Sequence, residues 1–308
     1  MKQGLFSALG VGLKLFIAGT WVLATQNASA GQAGVKVLNV KVGDGLKVPT
    51  LVIFPEAPQV EALPVLIMDH GFLLNQQFYQ DILGRIAIEG FVVVAPQNYA
   101  PGGLPFGKPT TDVEAKTTVA AVTWFQSHLA DMIGKSVDFS KMGLINHSRG
   151  GKVAWTILRD HLLDVKAIAA IDPVDGTADG SSRVTGGAAQ IKVPALIIGT
   201  GLGAQGGQPC APAAVNYNQF WMTVSQSPSW LFVAKDYGHM DFLDENNSCG
   251  FICSFCAKTA KSQTKVDLRG WIGMTVANFM RGILYNDKVA LDQVEDNASS
   301  ITLSKAKK

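Results

Sequence analysis

The sequence predicts an α/β fold, a doubly wound and mostly parallel sheet with helices on both faces. Two observations carry that prediction. Residues 65–68, 91–94, 142–145, 167–171, 195–198 and 230–233 are nearly continuous apolar runs, and a strand apolar on both sides is one covered on both faces, as in a parallel sheet. Between or after them, residues 78–89, 112–133, 151–163 and 268–284 carry apolar residues at helical spacing. Strands that alternate with helices wind into this architecture, whose sites gather at the loops beyond the carboxyl ends of the strands.

In chain order, residues 1–30 read as a targeting segment. Lys2 and Lys14 precede the apolar stretch 15–24, and Ala28-Ser29-Ala30 offers the small residues after which a signal peptidase cuts. Cleavage would give an exported protein, periplasmic, lumenal or secreted, beginning near Gly31; left uncleaved, residues 4–24 are long enough to anchor it in a membrane. Residues 31–308 are then expected to form one domain, because a chain of this length with 47% hydrophobic residues can bury a large core. Its first strands are expected at 35–42 and 49–54, joined to the next by a surface turn at 55–64. The Pro- and Gly-rich stretch 100–109 cannot be helical and is too long for a tight turn, so it is expected to be a mobile flap over the pocket. From about residue 286 the sequence turns polar and loses periodicity, which predicts a frayed tail.

Lys and Arg number 26 against 24 Asp and Glu. With so little net charge there is no field to attract nucleic acid or an acidic polymer. The cysteines, Cys210, Cys249, Cys253 and Cys256, fit two disulfides of unknown connectivity in an exported chain. The alternative is a metal or cluster site on the C-x3-C-x2-C spacing, against which stands the lack of His or Asp between Cys249 and Cys256.

Chemistry concentrates at the predicted strand ends. Gly143-Leu144-Ile145-Asn146-His147-Ser148-Arg149-Gly150-Gly151 runs from an apolar strand through a sharp corner into a helix, the setting of a nucleophile elbow with Ser148 exposed at the corner. A hydroxyl needs a base and an oxyanion site to act as nucleophile. The backbone N–H of Arg149 is the natural first oxyanion donor, and that of Phe72, in Asp69-His70-Gly71-Phe72 after an earlier strand, the second. Asn146 stands where G-x-S-x-G has glycine, which implies altered packing around the elbow. His239, on the loop after the last apolar run, fits the chain order Ser, Asp, His, with His70 as the competing base and His147 read as structural. No Asp or Glu occurs from Ala195 to Ala234, so the acid must come from elsewhere; Asp241 and Asp244 follow His239 too closely to be preferred, and the preceding strand ends in Ile171-Asp172-Pro173-Val174-Asp175-Gly176. Asp172 at the strand terminus can fix the imidazole tautomer; Asp175 is the other candidate. Gly201-Leu202-Gly203-Ala204-Gln205-Gly206 satisfies G-x-G-x-x-G, but Pro209 and Pro212 break the helix a dinucleotide would need and no acid follows at the right distance. These glycines are read as a loop lining the pocket.

The same residues resemble the chlorophyllases, esterases of the α/β-hydrolase fold. The similarity runs from about Pro64 to Leu284 and is carried by His70-Gly71-Phe72-Leu73-Leu74, His147-Ser148-Arg149-Gly150-Gly151-Lys152, Ile171-Asp172-Pro173-Val174, Pro209-Cys210-Ala211-Pro212 and Asp236-Tyr237-Gly238-His239-Met240-Asp241. The resemblance implies a triad of Ser148, Asp172 and His239, and a large apolar pocket for a phytyl ester of a magnesium porphyrin, with His70, Gly71, Gly201 and Leu202 beside the substrate. Magnesium would belong to the substrate, and neither cofactor nor metal is required of the protein. The expected partner is a small apolar ester, with a membrane surface left open and no nucleic acid or protein partner implied. A secreted esterase, lipase or polyester hydrolase on the same scaffold is the nearest alternative, and a pigment- or lipid-binding protein that has lost catalysis is another.

Overall fold

The computed structural model describes residues 16–17, 20–21, 34–102, 107–177, 180–187, 190–244, 254–259, 265–295 and 301–308. Within the segment read as a targeting signal, Phe16–Ile17 and Thr20–Trp21 pair as a two-residue antiparallel ladder, and Ala28–Ala30 lies outside the described residues. Among the described residues no helix is long and apolar enough to cross a membrane.

The main sheet has nine strands: β1 (Val35–Val40), β2 (Thr50–Pro55), β3 (Leu63–Asp69), β4 (Val92–Pro96), β5 (Val137–His147), β6 (Ala167–Ile171), β7 (Ala195–Thr200), β8 (Trp230–Ala234) and β9 (Leu303–Lys307). Their spatial order is β1-β2-β4-β3-β5-β6-β7-β8-β9. Strands from β4 through β3 to β8 are parallel; β2 and β9 run against them, and β1 pairs antiparallel with β2 and so points the same way as the central strands. This mixed, mostly parallel sheet with helices on both faces is the α/β-hydrolase fold.

Alternation within each strand explains the continuous apolar runs. Leu66, Met68, Val93, Ile145, Ala169 and Ile198 join one core beneath α1 (Gln80–Ala87) and α5 (Lys265–Leu284). Their neighbours Val65, Ile67, Val94, Leu144, Ala170 and Ile197 join the other, beneath α2 (Thr111–Ile133), α3 (Arg149–Arg159) and α4 (Tyr217–Thr223). Because period-2 side chains go to opposite faces and both faces are covered, every position in β2, β3, β4, β6 and β7 is buried.

Parallel register brings the carboxyl ends of the central strands level. His147 of β5 lies opposite Ile171 of β6, and Ile171 lies opposite Ile198 of β7. Ser148 and Asp172 each follow their strand by one residue.

The expectation of a frayed tail fails. Residues 288–292 form a short helix, α6 (Lys288–Asp292), and β9 pairs antiparallel with β8 along five residues. An edge strand is covered on one side only, so a polar sequence can build it, and its lysines blunt the open edge. Lys307 pairs with Glu295 at 2.6 Å and lies over the Trp230 ring, while Lys305 lies over Phe232. Flap residues 103–106 lie outside the described residues, but the flanks of the stretch are pinned: Gly102 N donates to the Leu73 carbonyl, and the Arg149 guanidinium donates to that of Pro109.

Candidate active site

β5 ends in a corner that forces its next residue into a conformation L-amino acids rarely adopt. Ser148 has φ 54° and ψ −123°, a strain that must be paid by its surroundings. Three backbone bonds hold it: Ser148 N to the Ile171 carbonyl at 3.2 Å, and Gly151 N and Val174 N to the Ser148 carbonyl at 2.9 Å each. Only glycine fits at the second and third residues after the corner. A Cβ on Gly150 would lie 2.1 Å from the Asp69 carbonyl oxygen, and one on Gly151 would lie 2.4 Å from Pro173 Cβ. The Asn146 amide fits beneath this corner, its Oδ1 3.0 Å from the same empty Gly151 position and its Nδ2 3.4 Å from the Ala169 carbonyl.

Ser148 Oγ lies 2.9 Å from His239 Nε2, and His239 Nδ1 lies 2.6 Å from Asp172 Oδ2. All three are buried, Asp172 completely. Asp172 also has a left-handed φ, 41°. Its carboxylate accepts from Thr200 N at 3.0 Å on Oδ1 and from Thr200 Oγ1 at 2.6 Å on Oδ2, so the oxygen that faces the imidazole is fixed in place. A carboxylate on Nδ1 holds the proton there and leaves the Nε2 lone pair for the serine hydroxyl.

Asp175, the other acid candidate, is engaged elsewhere. It accepts from Val184 N, Thr185 N and Thr185 Oγ1, with Lys152 Nζ 3.9 Å away, and so folds the segment after β6. His70, the competing base, donates from Nδ1 to the Gly71 carbonyl at 2.9 Å, and its Nε2 accepts from Asn98 N at 3.2 Å. Burial lowers its pKa to about 4, so the ring is neutral and shapes the loop it sits on. His147 packs against His239 at 4.7 Å between ring centroids, bonds Tyr79 Oη at 2.7 Å through Nδ1, and is held neutral by burial.

Phe72 sits on a turn closed by Leu74 N donating to the Gly71 carbonyl. Its ring lies 5.1 Å from the Arg149 guanidinium carbon, and Arg149 Nε donates to Glu114 at 2.6 Å. Gly201 and Leu202 cross above the end of β7: Gly201 N donates to the Ala234 carbonyl and Leu202 N to that of Tyr237. A Cβ on Gly203 would lie 2.9 Å from Asp172 Oδ2. The loop that carries His239 is wedged in turn, since a Cβ on Gly238 would lie 1.8 Å from the Ala257 carbonyl oxygen. Asp241 Oδ2 accepts from both Gly238 N and Thr259 N at 2.7 Å. A disulfide from Cys210 to Cys256 ties the loop after β7 to the segment beside His239, and Cys249 and Cys253 lie outside the described residues. Among the described residues no cluster of His, Cys, Asp and Glu could hold a metal ion.

A family model described as Chlorophyllase matches residues 23–307. The chain belongs to the chlorophyllase family. Chlorophyllase-2 of Arabidopsis thaliana is 32% identical over 76% of this chain and 77% of its own length. Chlorophyllase-1 of the same plant is 30% identical over 74% of each chain, and the chloroplastic chlorophyllase-1 of Citrus sinensis is 30% identical over 75% of this chain and 71% of its own.

Sequence reasoning missed several residues of this chlorophyllase-family site. Thr200 ends β7 beside Asp172, and its hydroxyl at a strand terminus was a usable signal. Tyr79 lies in a stretch read for helical spacing, where nothing marks its phenol as the partner of the Gly71 N–H; only the fold turns it back onto that loop.

Asp69, the last residue of β3, is fully buried, and burial raises its carboxyl pKa to about 6. Oδ1 accepts from Thr118 Oγ1 at 2.6 Å and Asn98 Nδ2 at 3.2 Å, whereas Oδ2 has no partner among the described residues. The folded state holds this proton more tightly than the unfolded chain, so the associated stability is complete below pH 3.8 and is lost as pH rises through about 6. The loss amounts to about 3 kcal/mol. Asp69→Asn is expected to remove it, and the gain in urea midpoint over the unaltered protein should be larger at pH 8 than at pH 5; an equal change at both would refute the assignment.

Proposed function

We propose that the chain is a serine carboxylic-ester hydrolase that cuts the phytyl ester of chlorophyll. The observation that carries this reading is the continuous relay from Ser148 Oγ to His239 Nε2 at 2.9 Å and from Nδ1 to Asp172 at 2.6 Å, on a serine held in the strained conformation of a nucleophile elbow. Family membership supports the ester chemistry, and the names of the relatives support chlorophyll as the substrate.

In this mechanism His239 takes the hydroxyl proton as Ser148 attacks the ester carbonyl. The N–H groups of Phe72 and Arg149 receive the oxyanion of the tetrahedral intermediate. The C–O bond to the alcohol then breaks, phytol leaves with the proton from His239, and the porphyrin acid stays bound to Ser148. Water attacks this acyl-enzyme by the same route, gives its proton to His239, and releases chlorophyllide as the Ser148 hydroxyl is restored. Asp172 stabilises the imidazolium throughout. His70 and Gly71 shape the oxyanion side, and Gly201 and Leu202 border the substrate. Every proton and electron pair is accounted for without a cofactor. We further propose that residues 31–308 act as one catalytic domain after export; the Cys210–Cys256 disulfide supports an oxidising compartment.

Incubation with chlorophyll a and chromatography of the pigments is expected to give chlorophyllide and free phytol. Unchanged pigment alongside rapid cleavage of p-nitrophenyl butyrate would instead identify a general esterase. Failure on both substrates, with no covalent labelling by a fluorophosphonate, would identify a binding protein.

A further inference from the structure

We propose that Tyr79 and Tyr99 are positioning residues that aim the Phe72 N–H at the developing oxyanion by fixing the peptide units on either side of it. The inference rests on the reading of Phe72 as an oxyanion donor. Gly71 N donates to Tyr79 Oη at 3.0 Å, and Leu73 N donates to Tyr99 Oη at 2.9 Å. The peptide between Gly71 and Phe72 is fixed from its other end, because the Gly71 carbonyl accepts from His70 Nδ1 at 2.9 Å and from Leu74 N at 3.1 Å. A trans peptide sends its N–H opposite to its carbonyl. Two donors on the carbonyl therefore dictate where the Phe72 N–H points. Among the described residues, the N–H groups of Gly71, Leu73 and Leu74 all have acceptors within the protein, and that of Phe72 has none.

The turn needs this support. Leu73 has φ 60°, a left-handed value at the third position of a four-residue turn, where glycine is usual. Its carbonyl is tied as well, by Gly102 N at 2.8 Å. Relaxation of Leu73 to an ordinary φ would swing the adjoining peptides, and the Tyr99 hydroxyl opposes that swing from one side while the Tyr79 hydroxyl opposes it from the other. Tyr79 does more than accept. Its proton goes to His147 Nδ1 at 2.7 Å, so the oxyanion loop is coupled to the residue that precedes Ser148. Burial pushes both phenols well above their ordinary range, so each stays a neutral hydroxyl at any working pH. The distance between the two halves of the site is thus set by a tyrosine that touches neither the serine nor the substrate carbonyl.

The test compares Tyr79→Phe and Tyr99→Phe with Tyr285→Phe, which removes a hydroxyl that donates to the Gly90 carbonyl at 2.7 Å elsewhere in the molecule. Rates are measured on chlorophyll a or p-nitrophenyl butyrate, whichever the protein hydrolyses. Loss of a whole oxyanion donor costs about 100- to 1000-fold in kcat. A donor left in place but misaimed is expected to cost about tenfold in each variant, with KM changed by less than about twofold. Affinity for a trifluoromethyl ketone, which forms a tetrahedral oxyanion on the serine, should fall by the same factor as kcat/KM, and Tyr285→Phe should leave both unchanged. Unaltered kcat and inhibitor affinity in Tyr79→Phe and Tyr99→Phe, or losses no larger than in Tyr285→Phe, would overturn the proposal. Should Tyr79→Phe fail to fold, the less deeply buried Tyr99 carries the test alone. Ser148→Ala assayed beside them separates the two levels: if it retains turnover, the reading of the site itself is wrong, whereas if it is inactive and the tyrosine variants are normal, only the positioning role falls.

Discussion

Ser148→Ala is expected to lower kcat by roughly a millionfold, down to the residual rate that binding and oxyanion donors alone supply. The fold should survive. The change removes one hydroxyl that is bonded to His239 Nε2, while the three backbone bonds that hold the corner do not involve the side chain. Alanine pays the same left-handed φ of 54° as serine, so the unfolding midpoint should move little. Initial rates measured beside a fluorophosphonate labelling assay give the answer, with labelling lost in parallel. A variant that kept a tenth of the starting rate would remove Ser148 from the mechanism.

Asp172→Asn is expected to lower kcat by about 10⁴, with KM nearly unchanged. Both carboxylate oxygens accept hydrogen bonds, Oδ1 from Thr200 N and Oδ2 from Thr200 Oγ1 and His239 Nδ1. An amide has only one acceptor oxygen. If its oxygen faces Thr200 N, its NH2 meets the imidazole, which must then move its proton to Nε2 and can no longer accept one from Ser148. Turned the other way, the amide keeps the tautomer but sets its NH2 against Thr200 N, a buried clash of donors. Either orientation also loses the charge that stabilises the imidazolium. Asp175→Asn supplies the comparison, because Asp175 bonds Val184 and Thr185 and does not approach His239 through any hydrogen bond. It should reduce stability more than kcat, and the opposite ranking of the two variants would exchange their roles.

The strands were legible because two helical layers make both faces of the sheet apolar, which leaves continuous runs such as 167–171 and 195–198 in the sequence. β9 was not, since a strand at an open edge needs backbone partners and little apolar side chain, and Leu303–Lys307 carries two lysines. The lack of any acid between Ala195 and Ala234 turned the search to the preceding strand, where the terminal position favoured Asp172 and left Asp175 as the other candidate. The partner of Cys210 could not, because a chain with four cysteines allows three pairings and only the fold brings Cys256 within reach. Ser148, His239 and the Phe72 turn announce themselves by local motifs. Tyr79 and Tyr99 act through single hydroxyl groups whose partners lie on another segment, and no local pattern records such a meeting, whereas the strand-terminal place of Thr200 was a signal that went unused.

The level ends of β5, β6 and β7 have a consequence for how such a molecule can change. Ser148, Asp172 and Thr200 inherit their mutual spacing from inter-strand pairing rather than from the surface segments that follow them. A slip of one residue in any of these ladders would turn the group to the opposite face of the sheet and end the chemistry at once. Insertions, deletions and new side chains in the outer segments face no such veto away from the Phe72 turn, Gly203 and the Gly238–His239 loop. Selection can therefore remodel which ester is admitted while the reacting atoms stay anchored, and variants with altered substrate range should be sought among those segments, with the ladders left untouched.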